Sequence, residues 1–138
     1  MDKRGGGKMK MDIHAAPCVL LVEDEIMVSM MLEDRLEHAG YRVLSAADLG
    51  LALKFAREES IDVAVLDVNL SGEPSFPVAE ALRERGIAFT FASGYGVEGL
   101  PQEYRGEAIL QKPYDTKSLL SLLAALQAVR STRNDTDC

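Results

Sequence analysis

Three short apolar runs constrain this chain more than any other feature: CVLLV at 18–22, IDVAVLDV at 61–68 and IAFTFA at 87–92. Each is continuous rather than alternating, the pattern of a strand covered on both faces, and such strands belong to parallel sheets flanked by helices. YRVLSA at 41–46 and AILQ at 108–111 are weaker candidates of the same kind. Helical patterns lie between them. Residues 26–38 place Val28, Met31, Leu32 and Leu36 on one face, and Gly40 supplies a left-handed residue to end that helix. Asp48 is placed to cap LGLALKFAREE, and Pro77 suits the first turn of a helix through Val78, Ala81, Leu82 and Arg85, closed by Gly86. Asp115 caps a last helix that carries Leu119, Leu120, Leu122, Leu123, Leu126 and Val129. That stripe exceeds what one core face needs, so with Tyr114 it is a candidate partner or dimer surface.

Strands alternating with helices of this length form right-handed βαβ units. The predicted fold is therefore α/β: a doubly wound, five-stranded parallel sheet of flavodoxin-like order 2-1-3-4-5, with helices on both faces. GYGVEGLPQEYRG at 94–106 is rich in glycine and contains Pro101, which predicts a short or mobile fourth helix. The chain has 138 residues, enough for one hydrophobic core. Residues 1–16, with Gly5, Gly6 and Gly7, read as a flexible arm, 17–131 as the domain and 132–138 as a tail that attaches no output domain.

A net charge of −7 argues against nucleic acid, which is held by clustered Lys and Arg. No run is long enough for a membrane span, and the basic N-terminus lacks the apolar core of a signal peptide. Cys18 and Cys138 are far apart and match no metal spacing, and His14 and His38 share none either. These features predict a cytoplasmic protein whose acidity suits a protein partner or a cation.

In a doubly wound sheet, ligands bind beyond the carboxyl ends of the strands. The first strand ends at Glu23 and Asp24, the third at Asp67, the fourth at Ser93 and the fifth at Lys112. Each residue alone has a structural explanation: an acid as a helix cap, a serine as a turn former, a lysine as a solvated charge. Three acids, a hydroxyl and an ammonium on one rim are not explained that way.

LLVEDE (20–25), VAVLDVNLSG (63–72), FASGYG (91–96) and LQKPYD (110–115) carry a resemblance to the receiver domain of two-component response regulators. It extends from about residue 18 to 130, in the family's order of motifs. The resemblance implies that Asp67 is a nucleophile that takes a phosphoryl group from a phosphohistidine on a histidine kinase or phosphotransfer protein. It implies Mg²⁺, with Mn²⁺ as the alternative, bound by Glu23, Asp24, Asp67 and the backbone carbonyl of Asn69. Lys112 and Ser93 would contact the phosphoryl group, and the Lys112–Pro113 bond would be cis. The output would be a downstream protein target or a phosphate sink, and the protein a monomer or weak dimer, not an enzyme in the ordinary sense.

Three departures qualify the resemblance. Glu23 stands where Asp is usual, so its contact with the cation is expected to be direct or through water. Ile109 stands where the family carries an aromatic three residues before the lysine. FASGYG is similar to the Phe-Ala-Thr-Gly-x-Tyr pattern of the stand-alone FAT GUY receivers, with Ser93 for the threonine and Tyr95 directly after Gly94 rather than one residue later. The expected switch region is thus Gly94, Tyr95, Ile109 and Pro113. Two rival functions fit less of the pattern: a phosphorylation-independent docking module, and a small Mg²⁺-dependent phosphatase for which Asn69 replaces the needed general acid.

Overall fold

The computed structural model describes residues 16–94 and 100–137. Five strands, β1 (Cys18–Val22), β2 (Arg42–Ala46), β3 (Val63–Asp67), β4 (Ala88–Ser93) and β5 (Ala108–Gln111), form one sheet in the order β2-β1-β3-β4-β5. All four pairings are parallel, and this is the flavodoxin-like order expected from the sequence. Three helices connect the strands, α1 (Ile26–His38), α2 (Leu49–Glu58) and α3 (Phe76–Glu84), and a fourth, α4 (Thr116–Asp137), follows β5.

The pleat divides the apolar runs between two cores. Val19, Leu21, Val63 and Val65 pack with Leu32 and Leu36 of α1 and with Leu119 and Leu123 of α4. Leu20, Val22, Ala64 and Leu66 point the other way, onto Ala52 and Ala56 of α2 and Val78 and Leu82 of α3. Successive strand residues face opposite sides, so an unbroken apolar run is what a two-sided burial demands. Each fully buried Leu or Val contributes roughly 1.5–3 kcal/mol.

Local signals set the helix ends. The Asp48 carboxylate accepts the Leu51 N–H at 2.8 Å and that of Asp115 accepts the Ser118 N–H at 2.8 Å, two of the caps predicted. Gly40 and Gly86 follow α1 and α3 with φ of 102° and 73°, a conformation open to glycine without steric cost.

Four details differ from the sequence reading. Met31 does not join the buried face of α1; Ser29 does, because its hydroxyl meets that of Ser45 at 2.8 Å. The surplus apolar stripe of α4 is largely absorbed: Leu119 and Leu123 are buried and Leu120, Leu122 and Leu126 pack beside them. Val129 of that stripe stays exposed, but most exposed large apolar side chains among the described residues lie on α1, at Ile26, Met27, Met30 and Met31. Finally, α4 continues to Asp137, so residues 132–137 extend the helix rather than form a tail; no glycine or proline interrupts them.

Between β4 and β5 the described residues contain a single 3-10 turn, Gln102–Tyr104. Tyr95 and the rest of 95–99 lie outside the described residues, as does the N-terminal arm through residue 15. Among the described residues no helix is long and apolar enough to cross a membrane.

Leu123 is fully buried where α4 meets the sheet. Leu123→Ala is expected to cost about 2–5 kcal/mol, read as a lower midpoint in urea at unchanged slope.

Candidate functional site

The sheet ladder continues one residue past three strand ends. The N–H of Glu23 donates to the Ala46 carbonyl (3.1 Å), that of Val68 to Ala92 (3.2 Å) and that of Lys112 to Ser93 (2.8 Å). Glu23, Asp67 and Lys112 are therefore held with the rigidity of sheet residues although their side chains lie at its rim. Val22 pairs with Leu66, so the next step along β1 and β3 sets Glu23 beside Asp67.

Carboxylate oxygens of Glu23, Asp24 and Asp67 lie within 4.8 Å of one another. Glu23 is 3% exposed. Its Oε2 accepts the Glu25 N–H at 3.0 Å, and its Oε1 is 3.7 Å from the Lys112 ammonium. That ammonium is closer to Asp67, at 3.3 Å from Oδ1. Asp67 also accepts the backbone N–H of Asn69. Glu25, the last acid of the run, precedes the first turn of α1. It is the N-cap residue, and its backbone is spent on Glu23.

Burial pushes the Glu23 and Asp67 carboxyls above the ordinary carboxylate range. The Lys112 charge pulls both back without cancelling the effect. The Tyr114 phenol is pushed up to about 12, first by burial and then by the negative charge of Glu23 and Asp67. It remains a protonated hydroxyl beside the acids.

The remaining predicted residues are placed as follows. Ser93 closes β4, buried at the rim. Lys112–Pro113 is cis. Asn69 is exposed on a two-stranded hairpin, Asn69–Leu70 with Glu73–Pro74, and its side chain accepts the Gly72 N–H at 2.7 Å. Ile109 is half-buried and packs in the same core as Tyr104. Tyr104 stacks on Phe76 with ring centroids 5.2 Å apart and meets Phe91 edge-on at 5.5 Å.

Two residues at the site were not singled out by sequence. Ser71 donates its hydroxyl to Asp24 Oδ2 at 2.6 Å; in DVNLSG it reads as a turn former, and its hydroxyl's direction depends on a backbone angle the sequence does not announce. Tyr114 was read as surface, whereas its ring packs against the core beneath the acids.

Chemically, the acidic group could hold a metal ion. Three carboxylates suit a small hard cation such as Mg²⁺, whose oxygen ligands sit about 2.1 Å from the ion and thus up to roughly 4.2 Å apart. The observed spread is comparable to that span. Lys112 is the cation already present, and it offsets only part of the negative charge.

The chain matches the family described as "Response regulator receiver domain" over residues 19–124. Among curated relatives, the aerobic respiration control protein ArcA of Escherichia coli (strain K12) is 30% identical over 107 residues, covering 75% of this chain and 45% of ArcA. The chain thus spans about half the length of the curated relatives it matches. Among solved structures, SdrG from Sphingomonas melonis Fr1 is 41% identical with a TM-score of 0.70, covering 81% of this chain and 97% of SdrG. The BeF3-activated conformation of SdrG from Pseudomonas melonis Fr1 matches at 39% identity and a TM-score of 0.67, covering 80% of this chain and 95% of that one.

A carboxyl whose pKa is higher in the folded than in the unfolded state makes the folded state bind more protons. Its contribution to stability is therefore lost as pH rises from about 4 through the elevated folded value. Removing such a group relieves the loss. Without divalent cations, Asp67→Asn is expected to melt above the wild type at pH 7, the gap narrowing toward pH 4. Calorimetric melts in chelator across that range check this, and a variant no more stable at neutral pH contradicts it.

Proposed function

Since the chain belongs to the response regulator receiver domain family, we propose that it accepts a phosphoryl group on Asp67 from the phosphohistidine of a histidine kinase or phosphotransfer protein. An Asp67 carboxylate oxygen bonds to phosphorus as the bond from phosphorus to the imidazole nitrogen breaks, and the histidine leaves as the neutral ring after taking up a proton. The observation that carries this reading is Lys112, whose ammonium stands 3.3 Å from Asp67 Oδ1 and 3.7 Å from Glu23 Oε1 beside the acidic group. Lys112 favours the ionised form of Asp67 against the effect of burial, and its positive charge is ready for the incoming phosphoryl oxygens.

Glu23, Asp24, Asp67 and the Asn69 backbone carbonyl hold Mg²⁺, or Mn²⁺ in its place, with Glu23 in direct or water-mediated contact. The bound cation offsets charge on the phosphoryl oxygens and on the acids themselves. Ser93 donates its hydroxyl to a phosphoryl oxygen once Asp67 is modified, and Gly94, Tyr95, Ile109 and Pro113 form the region that responds. FASGYG supports a place among the FAT GUY receivers.

The protein assists its own phosphorylation and dephosphorylation rather than turning over a separate substrate. It signals from the cytoplasm, as a monomer or weak dimer, by binding a downstream protein when phosphorylated or by draining phosphate as a sink.

Incubation with acetyl phosphate and Mg²⁺ is expected to add one phosphoryl mass to the wild type and none to Asp67→Asn. Lys112→Ala is expected to slow the reaction about tenfold or more. Intact-mass spectrometry over time reads both. A wild type that gains no adduct would favour a phosphorylation-independent docking module.

A further inference from the structure

Ser71 stands at the turn of the Asn69–Pro74 hairpin with a φ of 52°, the positive-φ residue other than glycine among those described. Side chains seldom take this conformation, and glycine would take it freely. Gly72 follows with a φ of 94°, and the turn is closed by its N–H on Asn69 Oδ1. Backbone preference alone therefore favours glycine at 71. What serine adds is its hydroxyl, which lies 2.6 Å from Asp24 Oδ2. That contact joins two segments far apart in sequence, the hairpin after β3 and the loop after β1. Asp24 is also the least enclosed of the three acids, since Glu23 is tied to the Glu25 N–H and Asp67 to Lys112 and the Asn69 N–H.

We propose that Ser71 is a positioning residue for the cation site: its hydroxyl holds the Asp24 carboxylate toward Glu23 and Asp67. Groups that orient a ligand from behind commonly matter to affinity as much as a weak ligand does. The same bond makes the coupling mutual. A cation that fixes Asp24 also fixes the tip of the hairpin, next to Asn69. The inference rests on the cation site proposed above.

Mg²⁺ alone is the probe, titrated by NMR of backbone amides into the wild type, Ser71→Gly, Ser71→Ala and Asp24→Asn. Ser71→Gly relieves the backbone and Ser71→Ala keeps it, and both remove the hydroxyl. Each is expected to bind Mg²⁺ about tenfold more weakly than the wild type, while Ser71→Gly melts no lower than the wild type in chelator. Weaker binding without lost stability separates positioning from a merely structural role. Ser71→Ala binding like the wild type overturns the proposal, even if Ser71→Gly is weakened, because the effect would then lie in the backbone. Wild type and Asp24→Asn responding alike to Mg²⁺ would overturn the cation site itself, and the role of Ser71 with it.

Discussion

The pairing of β1 with β3 at the centre of the sheet is the constraint on which the rest depends. Both strands are buried on both faces, and their residues supply the two cores in alternation. The parallel register sets every carboxyl end on the same side, and the ladder continues through Glu23 and Lys112 beyond the strands themselves. A sheet buried to its end leaves Glu23 buried and Asp67 and Asp24 only partly exposed. The acids are thus forced together by the hydrophobic effect acting several residues away.

Such an arrangement opposes stability locally. Glu23 and Asp67 are desolvated, which raises both pKa values; Asp24 adds to both and Asp67 to that of Glu23, with Lys112 as the nearby counter-charge. Strained, partly neutralised charge of this sort gathers where a protein uses it. Glu23 shows how the strain is contained. Its longer side chain turns one oxygen onto the Glu25 amide and the other toward Lys112. The group is satisfied in place of being expelled, which an isolated buried carboxylate would be.

Most of the fold was legible because the strongest signals in this sequence are local. Continuous apolar runs define the strands, and Asp48, Asp115, Gly40 and Gly86 define helix ends through bonds to their own neighbours. The rim at Glu23, Asp24, Asp67, Ser93 and Lys112 was legible for a topological reason: strand order dictates which ends meet. What escaped depends on tertiary direction. Met31 and Ser29 exchange roles because Ser45 of β2 faces the helix there. Ser71 escaped because its hydroxyl reaches Asp24 only through a backbone angle that serine rarely adopts. Tyr114 escaped because its packing against the core is a tertiary contact that its local sequence does not announce.

The absence of an aromatic at position 109 does not leave this side of the sheet without one. Tyr104 is fully buried between Phe76 and Phe91, its hydroxyl 3.2 Å from Glu80. The Arg83 guanidinium lies 4.7 Å over the same ring and pairs with Glu107 at 2.7 Å. Phe91 shares β4 with Ser93 and, two residues away, the same face of the strand. Contiguous ring contacts therefore run from Phe91 of β4 to Tyr104 of the 3-10 turn and on to Arg83 of α3. The Tyr104 ring is thus contacted by Phe76, Phe91 and Arg83 and held at its hydroxyl by Glu80. Ser93 and the 3-10 turn thus flank one aromatic cluster, to which β4 contributes Phe91 and the turn contributes Tyr104.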